Sequence, residues 1–156
     1  MAYSVELYNL ITSFLKDDDW HFDSDEERGI IKMGVTLENK LSRCRMMIDV
    51  DEERYIVYAT IPINADDDCK SEMADLLNRI NWTLAFGCFE MDEEDGEIRF
   101  RMPVSCKGGC FPNREMIRES VVVPVLVANR YGNAIVKVLM GMASAEEALK
   151  TSGYAN

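Results

Sequence analysis

Between Ile31 and Ile61 the chain passes three times through the same alternation of apolar and polar side chains, which commits this stretch to strands with one covered face. In the first run Ile31, Met33, Val35 and Leu37 alternate with Ile30, Lys32, Gly34 and Thr36. In the second, Cys44, Met46, Ile48 and Val50 alternate with Arg43, Arg45, Met47 and Asp49. The third runs from Tyr55 to Ile61 and sets Ile56 and Tyr58 on the face opposite Val57 and Ala59. Asn39-Lys40 and Asp51-Glu52-Glu53 supply the turns of a three-stranded meander. Pro62, which has no N–H to donate to a ladder, ends it.

Helical periods flank the meander. Val5, Leu7, Tyr8, Leu10, Ile11, Phe14 and Leu15 recur at helical spacing behind Ser4, an available N-cap, and Asp17 to Asp19 end that pattern. Trp20 and Phe22 then lead through a polar link into the first strand. After Pro62, Asn64 is placed to cap a second helix, and Asp66, Asp67 and Asp68 suit the positive end of its dipole. That helix carries Cys69, Met73, Leu76, Leu77, Ile80 and Leu84 inward, and Gly87 ends it or opens the next strand.

Phe89 and Met91 precede the acidic loop Asp92-Glu93-Glu94-Asp95-Gly96, beyond which Ile98, Phe100 and Met102 alternate with Glu97, Arg99 and Arg101. Asp95-Gly96 predicts a hairpin, because glycine takes positive φ without a steric penalty. A loop with Cys106, Gly108, Gly109, Cys110 and Pro112 leads to a third helix from Asn113 to about Met142, in which Pro124 predicts a kink. Ser144 with Glu147 three residues on forms a capping box for a short last helix. The order α-β-β-β-α-β-β-α-α predicts an α+β fold with an antiparallel five-stranded sheet, as one domain over residues 1–156.

The segment LLNRINWTLAFGCFEMDEEDGEIRFRMPV carries Leu77, Ile80, Asn81, Leu84, Gly87, Phe89, Asp92, Gly96, Ile98, Phe100 and Arg101 in a pattern that resembles the YbjN family. Tyr131, Ile135, Val138, Gly141, Ser144 and Ala148 resemble the family's third helix and terminal cap, and the element order is similar along almost the whole chain. Pro124 and the CKGGC loop depart from the pattern. The resemblance implies the fold of type III secretion chaperones and a homodimer that holds protein segments or regulates other proteins, with no catalytic residues to carry over.

Charge narrows the partners. With 28 acidic and 17 basic residues the net charge is -11, so nucleic acid and anionic membrane surfaces are disfavoured at long range. The most apolar stretch, Val121 to Ala128, is followed by Asn129, Arg130, Asn133 and Lys137, too soon for a bilayer span of about 20 apolar residues. Five cysteines are an odd set, and the N-terminus reads as an amphipathic helix rather than a signal peptide, so reduced thiols and a cytoplasmic location are expected.

Candidate chemistry is sparse. Cys106 and Cys110 bracket two glycines and invite a metal or redox role, but zinc sites pair two such motifs and His21 is the only histidine. A nucleophilic cysteine would need His21 as its base, and His21 lies beside Trp20 and Phe22 where a ring packs readily. The acidic loop fails as a calcium loop, since the EF-hand template around Gly96 would place ligands at Met91 and Met102. No cofactor or metal is expected.

Two readings remain. The first is a non-enzymatic dimeric module, chaperone-like or regulatory, that binds protein through Met47, Ile56 and Tyr58, which the alternation places opposite the main helical core. Ile117, Val121, Val125 and Ala128 on the third helix serve its packing or the dimer. The second is a cysteine-dependent enzyme or small metal or redox protein that uses Cys106, Cys110 or His21.

Overall fold

The computed structural model describes residues 2–151. Its elements are α1 (Val5–Asp17), β1 (Asp23–Asp25), β2 (Ile30–Thr36), β3 (Arg43–Val50), β4 (Arg54–Thr60), α2 (Lys70–Asn81), β5 (Cys88–Met91), β6 (Ile98–Ser105), α3 (Arg114–Leu139) and α4 (Ala145–Thr151). The strands form one antiparallel sheet in the order β1-β2-β3-β4-β6-β5. The fold class is α+β, as the alternating runs require. The count of strands is six rather than five. The extra strand lies in the polar link after Phe22, where Asp23, Ser24 and Asp25 pair with Lys32, Ile31 and Ile30. Backbone hydrogen bonds hold this edge strand, and its DSD sequence has no apolar alternation to reveal it.

Register carries one buried parity across the sheet. Met33, Met46, Ala59, Phe100 and Phe89 form a single cross-strand row, and Ile31, Ile48, Val57 and Met102 form the next. All nine side chains are buried. The hairpin between β5 and β6 closes as expected, with Gly96 at φ 76°. A Cβ at Gly96 would lie 1.9 Å from the Ala65 carbonyl oxygen, so only glycine fits there.

The helices cover that parity. Ser4 Oγ accepts from the Leu7 N–H and starts α1, which buries Leu7, Tyr8, Ile11, Phe14 and Leu15. Arg114 and Arg118 of α3 pair with Asp17 and Asp18 at 3.2 and 3.6 Å, but exposed pairs of this kind contribute at most about 1 kcal/mol each. Burying Phe14 or Leu15 contributes roughly 1.5–3 kcal/mol, so apolar contact decides how α1 docks.

Helix α2 begins later than its sequence suggests. Asn64 caps nothing: its side chain donates to the Asp95 carbonyl, and the first helical residue is Lys70. Asp66 Oδ1 accepts from the Cys69 N–H, so Asp66, Asp67 and Asp68 belong to the turn that enters α2 rather than to its first turn. The helix ends at Asn81, whose amide exchanges hydrogen bonds with the Phe89 N–H and carbonyl and ties α2 to β5. Leu84 lies beyond it, half-buried.

Helix α3 crosses β4 and β6. Asn113 caps it through the Met116 N–H, and it continues through the buried Pro124, which leaves the Ser120 carbonyl without its usual helical donor. Tyr55 and Ser120 share a buried 2.8 Å hydrogen bond between sheet and helix. The β2–β3 loop anchors the same helix: Asn39 Nδ2 donates to the carbonyls of Ala128 and Asn129, while Asn129 and Asn133 accept from the Glu38 and Lys40 N–H groups. Gly132 permits this approach, since a Cβ there would lie 2.1 Å from Asn39 Nδ2. The predicted capping box starts α4, with Ser144 Oγ accepting from the Glu147 N–H and Glu147 accepting from the Ser144 N–H.

Gly132→Ala should cost about 1–3 kcal/mol in urea unfolding by forcing Asn39 off the helix, and an unchanged midpoint would show that the loop yields freely. Alkaline stability follows from burial, which pushes the Cys44 thiol up to about 11 and the Tyr55 phenol up to about 12, from ordinary values of 9.0 and 10.0. Both pKa values are raised in the folded state, so the stabilisation is complete below pH 9 and is lost as pH rises through 11 and 12. Tyr55→Phe should therefore remove about 2–3 kcal/mol of the loss between pH 10 and 12, read from urea midpoints across that range.

Candidate functional site

The parity that the helices do not cover makes up the second face of the sheet. Its central cross-strand row is Lys32, Met47, Tyr58 and Arg101, flanked on one side by Gly34, Arg45, Thr60 and Arg99 and on the other by Ile30, Asp49, Ile56 and Pro103. Met47, Ile56 and Tyr58 thus stand side by side, as their alternation implies, and each is half-buried. Tyr58 takes part of its cover from a neighbour on the same face. The Arg99 guanidinium stacks 4.4 Å from the centre of the Tyr58 ring, and such stacking contributes about 0.5–1 kcal/mol at an exposed site.

Glu90 on β5 holds the two central arginines. Its Oε1 accepts from Arg99 Nε at 2.5 Å, and its Oε2 lies 3.1 Å from Arg101 Nε. The second contact is an ion pair without a hydrogen bond, because the Arg101 Nε–H finds no acceptor. Arg45 reaches Glu97 only at 4.0 Å. Between these groups lies a shallow groove of about 480 Å³, bordered by the cations Lys32, Arg45 and Arg99, the carboxylates Asp23 and Glu97, and Met47, Tyr58 and Thr60. Gly34 contributes no side chain to its wall, and a Cβ there would meet nothing within 4 Å. Cations set beside an apolar patch in this way are suited to binding.

The arginines and Lys32 are the part of the face that the apolar pattern did not single out. Their signal lay in the same alternation, since any strand parity that excludes Met46 and Phe100 must include Arg45, Arg99 and Arg101. A second missed feature is the turn after α2, where Trp82 is 91% exposed and Phe86 54%. On α3, Ile117, Val121 and Ala128 are buried in the chain's own core and Val125 is half-buried, so these residues pack the helix within one chain. Helix α3 is long and apolar enough by composition to cross a bilayer, contrary to the estimate from its flanking polar residues. Half of its most apolar window is buried inside the fold, as in a core helix.

No hydrogen bond joins His21 to a thiol among the described residues. Cys106 is buried, Cys110 is exposed, and burial followed by the proximity of Cys110 pushes the Cys106 thiol up, away from the thiolate a nucleophile needs. Burial likewise pushes Cys69 up. His21 is exposed and makes no hydrogen bond or ion pair among the described residues. No group of three or more His, Cys, Asp or Glu side chains is arranged to hold a metal among the described residues.

Comparison with solved structures places this architecture beside two others. The crystal structure of YbjN from E. coli matches with a TM-score of 0.59 at 12% identity, over 84% of this chain and 94% of that one. The crystal structure of the ExsC–ExsE complex contains a chain that matches with a TM-score of 0.50 at 12% identity, over 84% of this chain and 93% of that one. Such identities establish a shared fold, the type III secretion chaperone-like α+β architecture, and nothing finer. A search of the curated proteins finds no match for the sequence. The family model YbjN, described as "Putative bacterial sensory transduction regulator", matches residues 8–135, and the chain belongs to the YbjN family.

Proposed function

We propose that this protein is a non-enzymatic, cytoplasmic, dimeric binding module, chaperone-like or regulatory, which holds segments of partner proteins against the open face of its sheet. One observation carries the reading: Met47, Ile56 and Tyr58 are held side by side in register on a face that no helix covers. Contiguous apolar area of that kind is retained on a soluble fold when something else covers it. The family's description as a regulator and the occurrence of a similar chain in the ExsC–ExsE complex support the same reading. For the dimer, the support is the exposed Trp82 and Phe86 at the end of α2, since large aromatic side chains anchor protein interfaces.

Met47→Asp with Ile56→Asp should leave the fold intact, because both side chains lie outside the core, and should abolish recovery of the proteins that co-purify with the wild type. An identical set of bound proteins would sink the reading. Alkylation with iodoacetamide at neutral pH should proceed fastest at Cys110, then at Cys88, with Cys44, Cys69 and Cys106 protected until unfolding. Preferential alkylation of Cys106 would instead indicate an activated thiol and favour a cysteine-dependent enzyme.

A further inference from the structure

The open face carries charge of the opposite sign to the molecule around it. On its four central strands stand Lys32, Arg43, Arg45, Arg54, Arg99 and Arg101 against a single carboxylate, Asp49. The whole chain has 28 acidic residues to 17 basic, so the remaining surface is more negative than the net charge of -11 suggests. The other carboxylates on this side stand at its margins, Asp23 and Asp25 on β1, Glu90 on β5, Glu97 just before β6 and Asp51 beside Arg54.

Pairing within the chain leaves much of that charge unspent. Glu90 is shared between Arg99 and Arg101, Asp51 holds Arg54 at 3.2 Å, and Arg45 meets Glu97 only at the limit of an ion pair. Lys32 and Arg43 form no ion pair among the described residues. The charge is also graded along the strands. Ile30, Ile56 and Pro103 lie at one end with Asp49 and Arg54, Met47 and Tyr58 lie in the middle between Lys32 and Arg101, and Arg43, Arg45 and Arg99 lie at the other end.

We infer that this face binds an acidic amphipathic protein segment, with its apolar side chains over Ile56, Met47 and Tyr58 and its carboxylates directed at Lys32, Arg45 and Arg99. The inference rests on the protein-binding reading above and adds the chemistry of the partner. Charge complementarity selects it, because five of the six cations are arginines, whose planar forks match carboxylates in pairs. Stacking on Tyr58 and the bond to Glu90 hold Arg99 in place beforehand, so less side-chain freedom is lost on binding. The central row spans three strand spacings, about 14 Å, which about nine residues of helix would cover. A polyphosphate fits less well: it would leave the apolar row uncovered and run into the carboxylates on both flanks.

The test is selection of a displayed library of random peptides on the full-length protein, followed by binding of the enriched peptides to Lys32→Glu/Arg45→Glu and to Gly34→Trp. Both variants alter exposed positions outside the core, and unchanged melting would confirm their fold. Enriched peptides should combine acidic and apolar residues and weaken with added salt. They should bind the charge-reversed variant about tenfold less well. Gly34→Trp, which fills the groove, should block them too. Enrichment of peptides without an acidic excess, bound equally by the charge-reversed variant, would overturn the inference and leave protein binding standing. Tighter binding of poly(U) or of phosphatidylserine vesicles than of any peptide would overturn it in favour of phosphate. Failure of any peptide to enrich, together with no loss of co-purifying proteins on Met47→Asp/Ile56→Asp, would remove both readings.

Discussion

The continuous buried parity of the sheet is the constraint on which the rest of the molecule depends. Met33, Met46, Ala59, Phe100 and Phe89 meet across five strands, and a slip of one residue in any strand would replace one of them with a neighbour of the other parity. In β3 that neighbour is Arg45 or Met47, depending on the direction of the slip, and in β6 it is Arg99 or Arg101. An unpaired guanidinium buried in that row costs several kcal/mol, a large share of a domain's total stability of about 5–15 kcal/mol. The outward set is therefore fixed as firmly as the core, although it contributes little to stability itself.

One-sided burial requires the helices to stay on one side, and polar anchors as well as apolar contact keep them there. The buried Tyr55–Ser120 bond joins β4 to α3, and the Asn39 amide grips the α3 backbone two turns further on. Each of these groups is costly to leave unmatched in the interior, by about 1–3 kcal/mol, so they set the position of α3 more sharply than its valines could. Apolar contact tolerates sliding, whereas a buried amide accepts only one register. Helix α2 is fixed in the same manner, through Asn81 and the backbone of Phe89.

Legibility followed the strength of periodic patterning. The central strands, α1, α3, the Gly96 hairpin and the Ser144–Glu147 box were all readable, because each rests on local chemistry that acts at fixed spacing. The edge strand β1 was not, since DSD pairs through backbone groups that every residue possesses. The start of α2 was misplaced because Asn64 and three successive aspartates all suit a helix start, and only the approach of Asp95 decides that Asn64 serves the hairpin. For the candidate site, Met47, Ile56 and Tyr58 were legible as an apolar group of the second face. The arginines beside them were visible as the polar half of each strand, but which of them meet depends on register: Tyr58 lies opposite Arg101 yet stacks with Arg99 one row away.

Register also limits what net charge can say about partners. Exposed charges are screened over about 8 Å at physiological ionic strength, while neighbouring strands lie about 4.8 Å apart. Cations on adjacent strands therefore act together, along with the carboxylates Asp49, Glu90 and Glu97 beside them. A partner that approaches the open face meets the local field of Lys32, Arg45, Arg99 and Arg101, and the net charge of -11 governs only the approach from a distance. The argument from composition against anionic partners concerns long polyanions that wrap the whole molecule. It does not hold for a segment short enough to remain within one face of the sheet, and it is the pairing of strands, not the count of charged residues, that separates the two cases.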